Sequence, residues 1–376
     1  MLYLDTAATT AVDPRVAEVV LRLMTDEFGN AGSRTHEWGS RAKRVVQDAR
    51  ETVASVANVG TDEITFTSGA TESNNIALLG LAEHGRATNR RHIISSAIEH
   101  KAVIEPLEYL ATQGFEVEFL SPGTSGRFSA ADVLARVRPD TLVVSMMHVN
   151  NETGVTQPVA ELAEALVETP ALLHVDAAQG FAKLGDVVAN APIDLMSVSG
   201  HKLGSPKGVG VLVTRRRGWN RVPLSPIMYG GGQERGLRPG TIPVPLVAGV
   251  AEAAKLMRQE HFGWFAGVTT FRQSLLEAFQ GIDHSLNGDQ AHCAPHILNV
   301  SFHGIDSEAV VLGIKDVAAV ATGSACTSAS YTPSHVLTAM GLPEERVNEA
   351  IRMSWWSDTD ATQLPALRDA LMQLSR

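Results

Sequence analysis

The sequence predicts an α/β protein: a seven-stranded, mainly parallel sheet wrapped by helices, joined to a smaller α+β domain. Short β-branched runs recur along the first two thirds of the chain with helix-length stretches between them, the pattern of a layered α/β sheet. Several of those runs are apolar at nearly every position, so both faces of the sheet must be covered. Past a glycine-rich segment the rhythm changes, which places a boundary near residue 258. Residues 15–258 are then the large domain, and residues 1–14 with 259–376 the small one.

In chain order, Pro14 to Met24 and Arg41 to Val56 carry apolar residues at helical spacing and read as covering helices. The strands are Glu63 to Thr67, His92 to Ser95, Glu116 to Leu120, Leu142 to Met146, Leu172 to Asp176, Leu195 to Ser199 and Val209 to Thr214. After Gly230 to Gly240, Val244 to Gln259 and Phe262 to Phe279 read as two helices. Ile297 to Phe302 and Val317 to Ala321 read as strands, Ser307 to Lys315 and Thr359 to Leu374 as helices.

Composition narrows the function. Of 376 residues, 44% are hydrophobic and 19% charged, ordinary globular usage that argues against disorder and coiled coils. A net charge of -10 repels phosphate backbones and anionic lipid, so direct nucleic-acid contact is not expected. The N-terminus lacks the basic and apolar regions of a signal peptide, and no apolar run reaches membrane-spanning length. Two cysteines, Cys293 and Cys326, build neither a disulfide framework nor a structural zinc site; the expected location is the cytoplasm.

Only seven lysines occur, and Lys202 stands out among them. It lies in Ser199-Gly200-His201-Lys202, just past an apolar strand, where binding sites of open α/β sheets form. The preceding strand ends in Asp176-Ala177-Ala178-Gln179, which brings a carboxylate to the same edge. A lysine that bonds an aldehyde, with a carboxylate that keeps a pyridinium nitrogen protonated, is the pairing pyridoxal phosphate requires. The pair alone is equally compatible with a surface lysine and a helix-capping aspartate.

Other features bear on that choice. Ser68-Gly69-Ala70-Thr71 opens an apolar helix and can cradle a phosphate, although Ser/Thr before Glu is also an ordinary cap. His100 follows a strand and could stack on a flat ring or serve the core. Asn151 also follows a strand, as a carboxylate ligand or a turn residue. Cys326 sits among small and hydroxyl residues, Gly323-Ser324-Ala325-Cys326-Thr327-Ser328, with little to build an apolar pocket; an exposed nucleophile is the better reading. Cys293 reads as incidental.

Together these stretches resemble the cysteine desulfurases, class V pyridoxal-phosphate enzymes of fold type I, from Tyr3-Leu4-Asp5 to beyond Arg352. Further motifs carrying the resemblance are Phe28-Gly29-Asn30, Glu99-His100-Lys101, His148-Val149-Asn150-Asn151-Glu152 and Gly230-Gly231-Gly232-Gln233-Glu234-Arg235 through Thr241. The Ser-Ala-Cys-Thr-Ser wording is similar to the group serving iron-sulfur and thio-modification pathways. The resemblance implies that Lys202 bonds the cofactor, Asp176 meets the pyridine nitrogen and Gln179 the phenolic oxygen. It implies His100 over the ring, and phosphate contacts from Ala70, Thr71, Ser199 and His201. Thr241 would reach the site of a second subunit, hence a homodimer, and Asn151 and Arg352 would hold the carboxylate of L-cysteine. Cys326 would take the sulfur as a persulfide, release alanine and pass the sulfur to an acceptor protein.

Three departures matter: Met353-Ser354-Trp355-Trp356 after Arg352, Thr35-His36 near the N-terminus, and an end at Arg376 without the longer tail that housekeeping members present to a scaffold. The paired tryptophans read as core packing before partner surface. A shortened desulfurase of this kind resembles the dedicated members of specialised sulfur pathways, DNA phosphorothioation among them. The competing readings are a selenocysteine lyase or class V aminotransferase, and a non-catalytic scaffold. Transamination needs no thiol, and a scaffold needs none of Lys202, Asp176 and His100.

Overall fold

The computed structural model describes residues 1–322 and 333–375. Strand β1 is Leu2–Tyr3, followed by helices Pro14–Thr25 and Glu37–Ala57. Both helices have identifiable starts: the Asp13 side chain accepts from Arg15 N–H before a proline at the first turn, and His36 accepts from Gly39 N–H. The second runs a turn further back than its apolar periodicity suggests, because that His36 cap is not one of the usual capping residues.

The large sheet contains β2 (Ile64–Thr67), β3 (His92–Ser96), β4 (Glu116–Leu120), β5 (Thr141–Ser145), β6 (Leu172–Asp176), β7 (Leu195–Ser199) and β8 (Gly210–Thr214). Its order is β2-β8-β7-β6-β5-β3-β4, and β8 alone runs against the direction of the other six. All five residues of β5, β6 and β7 are buried, their polar members Thr141, Ser145, His174, Asp176, Ser197 and Ser199 included. Alternation survives inside the layers: Leu173, Val175, Val211 and Val213 join the core beneath helices Glu37–Ala57 and Val244–Ala278. Leu172 and Leu212 face the opposite core, under helices Ala70–Gly80 and Lys101–Thr112.

Edge strand β2 has its outward backbone groups occupied by side chains. Phe66 N–H donates to Glu234 Oε2 at 2.9 Å, and Ile64 C=O accepts from Arg50 and Arg235, each at 2.7 Å. Glu234 is itself buried and paired with Arg50 at 2.5 Å. This clamp pins the glycine-rich segment to the sheet and denies the edge to strand addition.

The remaining strands are β9 (His284–Leu286), β10 (Ile297–Phe302), β11 (Ala318–Ala319), β12 (Ala321–Thr322) and β13 (Ala350–Ser354). The order β12-β13-β10-β9 makes an antiparallel sheet, while β11 pairs with β1 in parallel. The expected strand Val317 to Ala321 is thus two short ones that switch sheets at Val320. The two helices expected between Val244 and Phe279 are one, Val244–Ala278, since its only proline, Pro245, lies in the first turn and single glycines such as Gly263 are tolerated. The closing helix begins at Leu364 rather than Thr359, because the Asp360 side chain first caps a short 3-10 turn. Trp355 is fully buried with Nε1 donating to Val268 C=O at 2.9 Å, so the core reading holds for it.

Candidate active site

Because β2, β3, β5, β6 and β7 run in the same direction, the residues following each emerge at one edge of the sheet. Antiparallel β8 begins at that edge. There they surround a cavity of about 400 Å³. Ten of the twelve residues singled out from the sequence line it: Ala70, Thr71, His100, Asn151, Asp176, Gln179, Ser199, His201, Lys202 and Arg352. Thr241 is exposed and lies outside this lining, and Cys326 lies outside the described residues.

The phosphate-sized end is a close backbone approach. Gly69 precedes helix Ala70–Gly80, and a Cβ on Gly210 would sit 2.5 Å from Gly69 Cα and 2.6 Å from Val198 C=O. Only glycine lets β8 pass beneath that turn. The helix N-terminus, with Thr71 and Ser199 beside it, offers donors to an anion. His201 Nδ1 contacts Thr9 Oγ1 at 3.2 Å, and burial, then Lys202, push its pKa down to about 4. It is a neutral ring at physiological pH.

Asp176 is held from two sides, accepting from Asn74 Nδ2 at 2.7 Å and from Ala178 N–H at 3.0 Å. Lys202 Nζ donates to the carbonyls of Ala7 and, at 2.6 Å, Ala8. Gln179 Nε2 donates to the same Ala7 carbonyl at 2.8 Å. His100 caps helix Lys101–Thr112, its Nδ1 accepting from Ala102 N–H at 3.0 Å, so the neutral ring carries its proton on Nε2. Burial holds its pKa below the ordinary histidine value; Asp176 opposes this, Lys202 and His335 reinforce it.

Arg352 on β13 is 2% exposed, with Nη2 on Asp5 Oδ1 at 2.7 Å and Nη1 on the Asn151 carbonyl at 3.2 Å. Its Nε, Gln179 Oε1 and Asn74 Oδ1 are buried without a partner among the described residues. Buried polar atoms are normally satisfied, so this wall is built to be completed by a polar ligand. An amine, a fixed carboxylate and an anion cradle with unpaired amide groups between them fit pyridoxal phosphate. Among the described residues no group of three or more His, Cys, Asp or Glu is arranged for a metal ion.

Sequence reasoning passed over several residues here. Asn74 orients Asp176; with Ser73 it is a polar residue on the buried side of its helix, beside Ile76, Ala77 and Leu78. Lys207 and Gly208 line the cavity because antiparallel β8 starts beside it. Ala7 acts through its carbonyl, which no side-chain pattern reveals. Cys293 is a protonated thiol, pushed up to about 11 by burial, with Sγ 3.4 Å from Thr153 C=O.

Residues 2–367 match the family Aminotransferase class-V. Among curated proteins the chain is 45% identical over 353 residues to cysteine desulfurase IscS of Anaeromyxobacter dehalogenans, covering 93% of this chain and 86% of that one. It is 44% identical over 356 residues to the IscS of Escherichia coli K12, covering 94% and 87%. Among solved structures it is similar to DndA from Streptomyces lividans, at 60% identity and TM-score 0.84 over 94% of this chain and 99% of that one. A structure described as SspA in complex with cysteine shares 36% identity, TM-score 0.82, over 94% and 98% of the two chains. The fold and site therefore define a class V enzyme built for pyridoxal phosphate. Within that class the chain belongs to the cysteine desulfurase family.

Proposed function

We propose that Lys202 bonds the cofactor, Asp176 and Gln179 hold its ring, and Cys326 receives the sulfur of L-cysteine. The convergence of Lys202, Asp176, His100 and Arg352 on one cavity carries this reading. When bound, pyridoxal phosphate supplies an electron sink for the substrate α-carbon. Arg352, using the N–H groups that Asp5 and Asn151 leave free, pairs with the substrate carboxylate, and the Asn151 amide adds to that grip. Ala70, Thr71, Ser199 and His201 hold the cofactor phosphate. His100, with its proton on Nε2, would supply a mobile proton to the cavity. The Cys326 thiolate attacks the substrate sulfur: an S–S bond forms, the C–S bond breaks, its electron pair stays with the carbon skeleton, and protonation there gives alanine. The persulfide then passes its outer sulfur to a thiol of an acceptor protein.

We further propose a homodimer in which Thr241 completes the phosphate site of the second subunit. The pinned yet exposed segment around it supports this, with Tyr229 83% exposed. Sedimentation of an active monomer would overturn that arrangement. Residues 15–258 are proposed as the cofactor domain and residues 1–14 with 259–376 as the domain bearing the sulfur-receiving cysteine. The acceptor reading is DNA phosphorothioation through a partner protein in the cytoplasm, supported by 60% identity to DndA against 44% to 45% for the IscS proteins. Among the described residues no helix is long and apolar enough to cross a membrane.

The tests are direct. Borohydride reduction and peptide mapping should place the cofactor on Lys202 alone, and an adduct elsewhere refutes the assignment. Cys326→Ser should bind L-cysteine yet release almost no alanine; normal release would favour an aminotransferase. Deleting the gene should remove phosphorothioate linkages from host DNA digests. Intact linkages alongside failing iron-sulfur enzymes would instead assign the sulfur to cluster assembly.

A further inference from the structure

Both attachments of the segment between Thr322 and Pro333 lead back to the substrate end of the cavity. On its N-terminal side, β12 pairs Ala321 with Arg352 itself. On its C-terminal side, Ser334 is 5% exposed and donates from Oγ to Glu152 Oε2 at 2.5 Å, while Leu337 N–H donates to that same Oγ at 3.1 Å. His335 Nε2 donates to the Glu99 carbonyl at 2.9 Å, and a carbonyl only accepts, so this ring nitrogen carries the proton. Glu152 directly follows Asn151, and Glu99 directly precedes His100.

Glu152 does not line the cavity. It is 3% exposed, its N–H donates to Asn150 Oδ1 at 2.9 Å, and its C=O accepts from Asn299 Nδ2 at 3.2 Å. Its main chain is therefore fixed without its side chain. A buried carboxyl group is costly, and among the described residues its hydrogen bond runs to the residue at which the cysteine-bearing segment rejoins the fold. An apolar side chain would fill the same space without that cost; what the carboxyl adds is the bond to Ser334 and a charge that His335 and Arg352 favour.

We propose that Glu152, acting through Ser334, is a positioning residue for sulfur transfer: it sets the return point of the Cys326 segment relative to Asn151 and Arg352. This rests on the reading of Cys326 as the sulfur acceptor. Displacing one reactant of an oriented pair by about 1 Å costs on the order of 100-fold, so a misplaced anchor acts on the transfer step and leaves binding intact.

The experiment uses the full-length, cofactor-loaded enzyme in single turnovers with L-cysteine. It follows the spectral change on cysteine binding, alanine release, and persulfide on the Cys326 peptide by mass spectrometry. Glu152→Leu should slow alanine and persulfide formation roughly 10- to 100-fold, with cysteine affinity within about threefold of the parent. Glu152→Gln, whose amide oxygen still accepts from Ser334, should recover most of the rate. Ser334→Ala, which disturbs the core least, should match Glu152→Leu, and the double variant should be no slower than either single one. A normal rate in both single variants, additive losses, or cysteine affinity falling as far as the rate would overturn the proposal. Cys326→Ser run in parallel separates the two claims: normal alanine release there refutes the Cys326 reading itself, whatever the Glu152 variants do.

Discussion

Arg352→Ala should cripple recognition of the substrate carboxylate while sparing the cofactor. The guanidinium has five N–H groups, of which one goes to Asp5 and one to the Asn151 carbonyl, and Nε is buried with no partner among the described residues. A carboxylate arriving at the Nε edge gains two charge-assisted bonds in a site that is 2% exposed. At about 1.5–3 kcal/mol per bond to a charged group, the loss lies between about 3 and 6 kcal/mol if both bonds vanish. The Asp5 side chain is 24% exposed, so water can reach this end of the site and replace part of what the guanidinium supplied, and the lower figure is the better one. That corresponds to roughly a 100-fold fall in kcat/KM. Arg352→Lys keeps a charge for Asp5 but loses the fork, and should recover only a small part. Steady-state kinetics with L-cysteine, read beside the bound-cofactor spectrum, tests this. An unchanged KM with a normal spectrum would show that Arg352 serves only its ion pair with Asp5.

Other changes have equally defined outcomes. Asn74→Ala removes the 2.7 Å bond to Asp176 and should cost turnover about tenfold with the fold intact; an unperturbed rate would mean that Ala178 N–H suffices. Arg50→Ala leaves Glu234 buried without its charge partner and should destabilise by about 3–5 kcal/mol in urea unfolding, whereas a loss below about 1 kcal/mol would discount the clamp. Burial pushes His148 and His174 down to about 4, below the ordinary 6.5, so the unfolded chain takes up their protons first as pH falls. The stability they contribute is complete above about pH 6.5 and is lost toward pH 4, at no more than about 1.4 kcal/mol per pH unit each. A urea midpoint that stays flat from pH 6.5 to 4.5 would contradict this.

The large sheet was legible because six of its seven strands are buried on both faces, all but edge strand β4, and such runs leave few other arrangements. The small sheet was not. Strand β13 reads Ala-Ile-Arg-Met-Ser and β9 reads His-Ser-Leu, neither with an apolar alternation to follow, yet all five residues of β13 are buried. Its arginine enters the interior because Asp5, bridged to Ser354, meets it there. That pairing spans nearly the whole chain, and periodicity is blind to contacts at such separation. The same holds for the long helix: Gln259-Glu260-His261 looks like a polar break, but the helix needs no apolar face where it crosses solvent.

Site residues followed a similar division between side-chain chemistry and backbone geometry. Lys202, Asp176 and His100 announce themselves as chemical types at strand ends, and parallel strands must deliver such residues to one edge. Ala7 has no such signature, yet its carbonyl is where Lys202 Nζ and Gln179 Nε2 both end. Its position is set from the other side, by Ala7 N–H donating to Ser354 Oγ at 2.8 Å. The N-terminal segment is therefore strung between β13 and the lysine, with Asp5 on Arg352 and Ala7 on Lys202. If Lys202 bonds the cofactor as proposed, its amine would have to leave the Ala7 and Ala8 carbonyls, and a substrate carboxylate on Arg352 would share it with Asp5. On the proposed roles of Lys202 and Arg352, cofactor and substrate would therefore address the two ends of one short stretch of chain, Asp5 to Ala8.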